Sequence, residues 1–409
     1  MLKGQDIVCF GPTDWWGMNP SCGTHIMRNL AKANRVLYVN PISSDLLGIL
    51  GRNGFWRRMV RKLKSLLKFA RRVSGNLYIL SPIFLPIQGN AVVDWVNNAL
   101  LKMQVRLFIC LLGFRRPLVW VENVRAADII SSFRWCLIIY HVSDRFDLCP
   151  YARNKDKLRE REFWMTSNSD LIICVSRKLY ESKKKVRSDI YYLPHGVDFE
   201  LFRKAAENGE CFEGLLNVPH PIAGYFGTLT AENDTELLKH CAANLRNILF
   251  VLAGQITAGD YGELAKMPNV ILLGQVPYEK IPALCASFDV CLLHWKMSEW
   301  VTYCNPLKLF EYMASGRPIV SVPIGEVVEK YADIVSLARN KEEYCDAIVW
   351  ELNNDTAERK RRRIETAREH SRDNHIEQLS RIISDAVAAK KRQDEFVLTT
   401  PVQKVVLNG

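Results

Sequence analysis

The segment NPLKLFEYMASGRPIV, residues 305–320, decides the architecture. It follows an apolar run, VCLL at 290–293, and a polar loop, and it leads into a β-branched run at 319–322. Strand, polar loop, helix, glycine and strand in that order form a parallel β-α-β unit. Asn305 reads as the N-cap and Pro306 as the first helical residue. Leu307, Phe310, Met313 and Ala314 recur at helical spacing and make the buried stripe. Gly316 ends the helix, and Pro318 opens the next strand. The helix therefore starts at the carboxyl end of a parallel strand, the edge at which such sheets hold ligands. Its free N–H groups and Lys308 suit a phosphate. Glu311, one turn on, suits the hydroxyl pair of a ribose. In isolation, a Lys and a Glu three apart are a solvated pair worth about 0.2–0.5 kcal/mol. The surrounding sequence decides between these readings.

Working outward, the same alternation fills the chain. Apolar runs at 7–10, 36–39, 118–121, 137–140 and 171–175 are bounded by turn residues, as are those at 223–226, 249–253, 270–273 and 290–293. Continuous apolar strands separated by helical patterns imply parallel sheets covered on both faces. The two sets divide near residue 200, after LPHGVDFELF at 193–202. With 409 residues and 48% hydrophobic content, two doubly wound domains are expected. No apolar run approaches the ~20 residues of a membrane span, and residues 1–12 do not read as a signal peptide. Twelve cysteines lie singly, with no CxxC or zinc-type spacing. This points to a reducing, cytoplasmic setting and no structural zinc. The charged stretch from 357 to about 391 reads as helical, with 359–363 a solvated basic face, and residues 392–409 read as a loose tail.

Several segments resemble GT-B glycosyltransferases of the bacterial polysaccharide and teichuronic-acid type. More loosely, they resemble the glucuronosyltransferase of xanthan assembly. The resemblance is carried by GYFGTLTAENDTELL (224–238), FVLAG (250–254), NVILLGQVPYEKIPALCASFDVCLL (269–293) and NPLKLFEYMASGRPIVS (305–321). It implies a GT-B fold of two Rossmann-like domains facing across a cleft. Residues 1–198 would form the acceptor domain and 199–372 the nucleotide-sugar domain. A helix at 373–391 would return to the first, leaving 392–409 as tail. It implies a donor site at Gly227, Thr228, Gln275, Val276, Tyr278, His294, Asn305, Pro306, Leu307, Lys308 and Glu311. The diphosphate would leave against the helix end and Lys308, without a divalent metal or other cofactor. One position departs from the pattern. Many retaining members carry a second Glu eight residues before the position of Glu311, where this chain has Tyr303.

The first half must then supply the acceptor site and any base. His25, His141, Asp144 and Asp147 are its candidates. In LIIYHVSDRFD (137–147), Asp144 falls just beyond a buried strand. The segment is similar to the one that bears the base aspartate of the xanthan enzyme, which implies inversion by single displacement. His25 is the rival base. Trp15 and Trp16, in the first loop, read as a platform for sugar or lipid, or as interdomain packing. Residues 52–72, RNGFWRRMVRKLKSLLKFARR, hold nine Lys/Arg, and no acid occurs between Asp45 and Asp94. Phe55, Trp56, Arg57, Arg58, Arg61, Lys62, Lys64 and Lys68 fall at the spacing of a basic amphipathic helix on an anionic bilayer. Residues 77–87 add apolar surface. The net charge of +11 has no accompanying nucleic-acid motif. The expectation is a peripheral enzyme on the inner face of the cell membrane. It would move a sugar from a nucleoside diphosphate, UDP by preference, to a lipid-linked saccharide. A nucleotide-sugar epimerase and a non-catalytic membrane adaptor share this architecture and are the competing expectations.

Overall fold

A computed structural model describes residues 2–17, 20–41, 69–85, 90–150, 152 and 154–399. Two sheets organise the chain. The first contains β1 Asp6–Phe10, β2 Arg35–Val39, β3 Ala70–Ser74, β4 Leu77–Leu80, β5 Leu118–Val121, β6 Leu137–Val142, β7 Leu171–Cys174 and β8 Ile190–Tyr192. Its order is β3-β4-β2-β1-β5-β6-β7-β8, and only the β3–β4 pair is antiparallel. The second contains β9 Ile222–Phe226, β10 Leu249–Ala253, β11 Val270–Gly274, β12 Val290–Leu293, β13 Ile319–Ser321 and β14 Ser336–Leu337. Its order is β11-β10-β9-β12-β13-β14, all parallel.

The helices of the first half are α1 Cys22–Leu30, α2 Ala91–Leu111, α3 Ala127–Ile130, α4 Lys155–Asn168 and α5 Arg177–Lys184. Those that follow are α6 Phe199–Glu207, α7 Thr235–Asn244, α8 Gly262–Ala265, α9 Ile281–Ala286, α10 Leu307–Ser315, α11 Gly325–Lys330, α12 Lys341–Asn354, α13 Ala357–Glu369 and α14 Arg372–Thr399.

The continuous apolar strands are explained by burial on both faces. In β1, Val8 and Phe10 pack with Leu101 and Val105 of α2 and with Met165 of α4. Ile7 and Cys9 point the other way, to Ile26 and Met27 of α1 and to Ile376, Leu379 and Ile383 of α14. The last helix thus completes the first half's core. The chain crosses between the halves twice, and the crossings are joined. Val197 N–H donates to His370 at 2.9 Å, and Arg372 N–H donates to Val197 at 2.7 Å.

Several expectations are corrected. Ala70–Ser74 is an edge strand, not the end of a helix, because it pairs with β4. Residues 77–80 are buried strand rather than exposed surface, although Ile83 and Leu85 beyond them are exposed. Phe55, Trp56, Arg57, Arg58, Arg61, Lys62, Lys64 and Lys68 lie outside the described residues. Trp15 is 7% exposed and packs edge-on to Tyr38, in the core rather than on a ligand surface. Trp16 bonds through Nε1 to Ser81 Oγ at 3.3 Å. Within the supposedly solvated face 359–363, Arg363 is fully buried. It pairs with Asp355 and donates to the Gly316 carbonyl at 3.0 Å, sealing the end of α10. Finally, α14 runs to Thr399, into the expected tail, since no Gly or Pro interrupts residues 373–399.

Candidate active site

The α10 helix does begin at the carboxyl end of a strand, but its first residues differ from expectation. Pro306 occupies the N-cap and Leu307 opens the helix. Asn305 does not cap it. Its Nδ2 reaches across to the Val175 carbonyl at the end of β7, at 2.8 Å, and its Oδ1 is buried without a partner. A carbonyl of the other half competes successfully for this side chain. Leu307 is half-buried, whereas Leu309, Phe310, Met313 and Ala314 are buried and fix the helix against the sheet.

The geometry at the start of α10 centres on Lys308. Its Nζ lies 4.9 Å from the Tyr225 ring centroid and 5.1 Å from that of Trp295. Gly227, at φ 138, ends β9 beside it, where a Cβ would come within 3.0 Å of Lys308 Cε. No ordinary side chain adopts that conformation readily, and the Gly227 N–H is spent on the Ala253 carbonyl at 2.9 Å. Thr228 follows, exposed. Burial alone would raise the Tyr225 phenol. The Lys308 charge and hydrogen bonds from Asn233, Trp295 and Lys308 outweigh burial and hold it below its ordinary value. His294 is not at the surface. It is fully buried, stacked edge-on to Tyr225 at 4.6 Å, with Nδ1 unpartnered. Burial, and then the Lys308 charge, push its pKa down to about 3, so it is neutral.

Glu311 is 6% exposed, and its carboxylate makes no hydrogen bond to another described residue. Burial raises its pKa to about 7, against the lowering charges of Lys308 and Arg372. Beyond it, Tyr278 donates to Asp198 at 3.3 Å and packs on His25 with ring centroids 5.0 Å apart. Asp198 also accepts from Arg372 Nε at 2.8 Å, while Arg372 Nη2 is buried and unpartnered. Gln275 Oε1 is likewise orphaned. The Val276 side chain packs in the core, leaving only its backbone to face a ligand. His25 is 6% exposed, and burial followed by the Arg372 charge lowers its pKa to about 3. The structure therefore groups His25 with the donor-side residues Tyr278, Asp198 and Arg372. Nine buried polar atoms lack a partner among the described residues, and five belong to His25, Gln275, His294, Asn305 and Arg372. Buried polar groups are ordinarily bonded, so these atoms are the candidates for contact with a ligand.

Across the cleft, Asp144 lies just past β6. Its Oδ1 accepts from the Trp300 indole at 2.6 Å and from Arg145 N–H at 2.8 Å. Burial raises its pKa to about 6, and these two bonds oppose the rise. Trp300 belongs to the second half, so the carboxylate is held by both halves. Asp147 is committed to Arg145 at 2.8 Å and Arg159 at 3.3 Å. His141 is buried against Glu122 at 3.0 Å. Tyr303 faces the first half, between the Arg145 guanidinium at 5.0 Å and Lys178 at 4.8 Å. Near the ends of β1, β2 and β5 a recess is lined by Asn97, Asn123, Arg125, Asp128 and Arg161.

Sequence reasoning missed Asp198, Trp300 and Arg372. Asp198 carried a signal, standing in the junction LPHGVD next to a helix. Arg372 carried none, because only the second crossing brings it to Asp198, 174 positions away.

The comparisons now bear on this geometry. Residues 220–354 match the family glycosyl transferases group 1. Sucrose-phosphate synthase from Thermosynechococcus elongatus superposes with a TM-score of 0.70 at 13% identity, covering 94% of this chain and 100% of that one. The chain has the GT-B fold. A second GT-B relative in fold is Anabaena Alr3699/HepE in complex with UDP and glucose, with a TM-score of 0.63, 13% identity and coverage of 94% and 99%. In sequence, a Bacillus subtilis (strain 168) protein named as a candidate teichuronic acid biosynthesis glycosyltransferase, TuaH, is 28% identical over 207 residues, 46% of this chain. The match spans about half, 51%, of that relative's length. Among the described residues of this GT-B chain, no helix is long and apolar enough to cross a membrane.

Proposed function

We propose that this protein is a glycosyltransferase of polysaccharide biosynthesis. It takes a sugar from a nucleoside diphosphate held by the second half and gives it to a lipid-linked saccharide at a membrane surface. The observation that carries the reading is Glu311, a buried carboxylate with no hydrogen bond among the described residues, one turn from Lys308 at the start of α10. A desolvated, unpartnered carboxylate is costly. A ribose diol supplies two donors that offset the cost. The Lys308 ammonium and the α10 amides, beside the side-chain-free Gly227, meet the diphosphate, so leaving-group charge is stabilised without assigning a metal. Backbone groups at 275–278 and the Tyr278 ring receive the base. UDP is favoured because the fold relative Alr3699/HepE is described as a UDP complex, and a polysaccharide product because TuaH is named for teichuronic acid biosynthesis.

Asp144 acts as general base. The acceptor hydroxyl oxygen attacks the anomeric carbon while the bond from that carbon to the diphosphate oxygen breaks. The hydroxyl proton passes to Asp144, and the nucleoside diphosphate departs with the bonding electron pair. The acceptor saccharide lies at the polar recess by Asn123 and Asp128, and the basic sequence 52–72 holds the protein on the inner membrane face. Incubation with UDP- and GDP-sugars, with and without a lipid extract, tests this. Lipid-dependent nucleotide release is expected. An epimerised sugar formed without lipid, or no nucleotide binding at all, would reject it.

A further inference from the structure

The long helix α2, Ala91–Leu111, is built inside out. Its buried positions include two amides, Asn97 and Gln104. Each clamps an extended segment that runs beside the helix. Gln104 Oε1 accepts from Ile83 N–H at 2.8 Å, and its Nε2 donates to Ile83 O at 2.9 Å. Asn97 does the same to Leu85, at 2.7 and 3.0 Å. The outward face is apolar. Val92 is 69% exposed, Trp95 71%, Met103 61%, Leu107 49% and Leu111 68%. These positions recur at helical spacing over ~30 Å of helix. Ile83 and Leu85, at 53% and 43%, are exposed from the clamped segment alongside. Scattered exposed apolar residues are ordinary, but a continuous stripe with a Trp marks an interaction surface.

The charge around it names the partner. Arg106 is the charged residue on the exposed stripe, and the helix's one acid, Asp94, is paired with Lys157 at 3.2 Å. The sequence leading into the helix has nine Lys/Arg and no acid from residue 46 to 93. Within that sequence, the ring of Phe69 packs 5.8 Å from that of Phe108 on α2. Arg71 and Arg72 follow, exposed on β3. A second copy docked here would bring Arg71 and Arg72 of two chains to one face, whereas anionic headgroups would neutralise them. We infer that the outward face of α2, with Ile83 and Leu85, inserts into the headgroup boundary of an anionic bilayer while the neighbouring basic residues engage the phosphates. This deepens the membrane reading above and rests on it.

The test is co-sedimentation of the full chain with vesicles of phosphatidylglycerol and phosphatidylethanolamine, against phosphatidylcholine alone. The wild type is expected on the anionic vesicles. The double variant Met103→Glu, Leu107→Glu, which alters exposed positions, should bind at least tenfold more weakly with an unchanged melting temperature. Brominated lipid should quench wild-type fluorescence more than that of Trp95→Phe. Unchanged binding of the double variant, with loss on replacing Arg57, Arg58, Arg61 and Lys62 by Gln, would overturn this inference but leave the membrane reading standing. No wild-type binding to any vesicle would overturn both. A dimer in sedimentation velocity that Leu107→Glu dissociates, with no vesicle binding, would assign the face to a second copy instead.

Discussion

Replacing Glu311 by Gln should strengthen the empty protein and weaken its grip on nucleotide. Burial places the Glu311 pKa at about 7, against an ordinary value of 4.5. The folded state therefore favours the protonated acid. The associated stability is fully present below pH 4.5 and is lost as pH rises through about 7. A difference of roughly 2.5 units corresponds to about 3 kcal/mol. Gln titrates nowhere in this range, so its stability relative to the wild type should rise by about 3 kcal/mol between pH 4.5 and pH 8. The absolute gain at pH 8 is smaller, because the buried amide also lacks partners at a cost of about 1–3 kcal/mol. Urea melts across that pH series measure the difference directly. The ligand side has the opposite sign. Losing hydrogen bonds to a charged acceptor costs about 1.5–3 kcal/mol, so UDP should bind tenfold or more weakly by calorimetry. Wild-type affinity should also fall as pH drops below 7. A stability difference that stays flat with pH would show that the carboxylate is not desolvated. An unchanged UDP affinity would remove Glu311 from the donor site.

Asp144→Asn should leave UDP affinity within about twofold and slow turnover by roughly 10²–10⁴, and wild-type kcat should rise with pH through about 6 as the carboxylate ionises. Trp300→Phe removes a donor to the ionised form, so the acid limb of that profile should move up by about one pH unit. An unmoved limb would deny the contact a role in setting the Asp144 proton affinity. Turnover should survive excess EDTA; a loss restored by Mg²⁺ or Mn²⁺ would reject the metal-independent reading. Arg363→Met should destabilise the second half by about 3–5 kcal/mol in urea melts, since a buried pair is broken and the Gly316 carbonyl loses its donor.

The strands were legible because burial on both faces demands unbroken apolar runs, and β5, β10 and β12 fall where those runs do. The β3–β4 pair was not, since its exposed strand, ARRVS, has no apolar alternation and continues a basic helical pattern. In the site, Lys308, Gly227 and Glu311 could be placed because strand ends and helix starts are local features. Asn305 could not, because its partner Val175 is 130 positions away and only the docking of the halves brings it within reach. Arg372 and Trp300 act across the same divide. Trp15 was misplaced because an exposed-looking loop can still fold an aromatic back onto a sheet edge, here onto Tyr38.

The joined crossings at Val197 and His370–Arg372 give the molecule a pivot. Two strands of chain tied side by side permit rotation about one line and resist sliding. The Asp198–Arg372 pair lies next to these crossings. Asp144 and Trp300 come from opposite halves and are hydrogen-bonded in this arrangement. Any separation of the halves would therefore part Asp144 from its indole and Asn305 from Val175 together, while the paired crossings keep the two halves tethered.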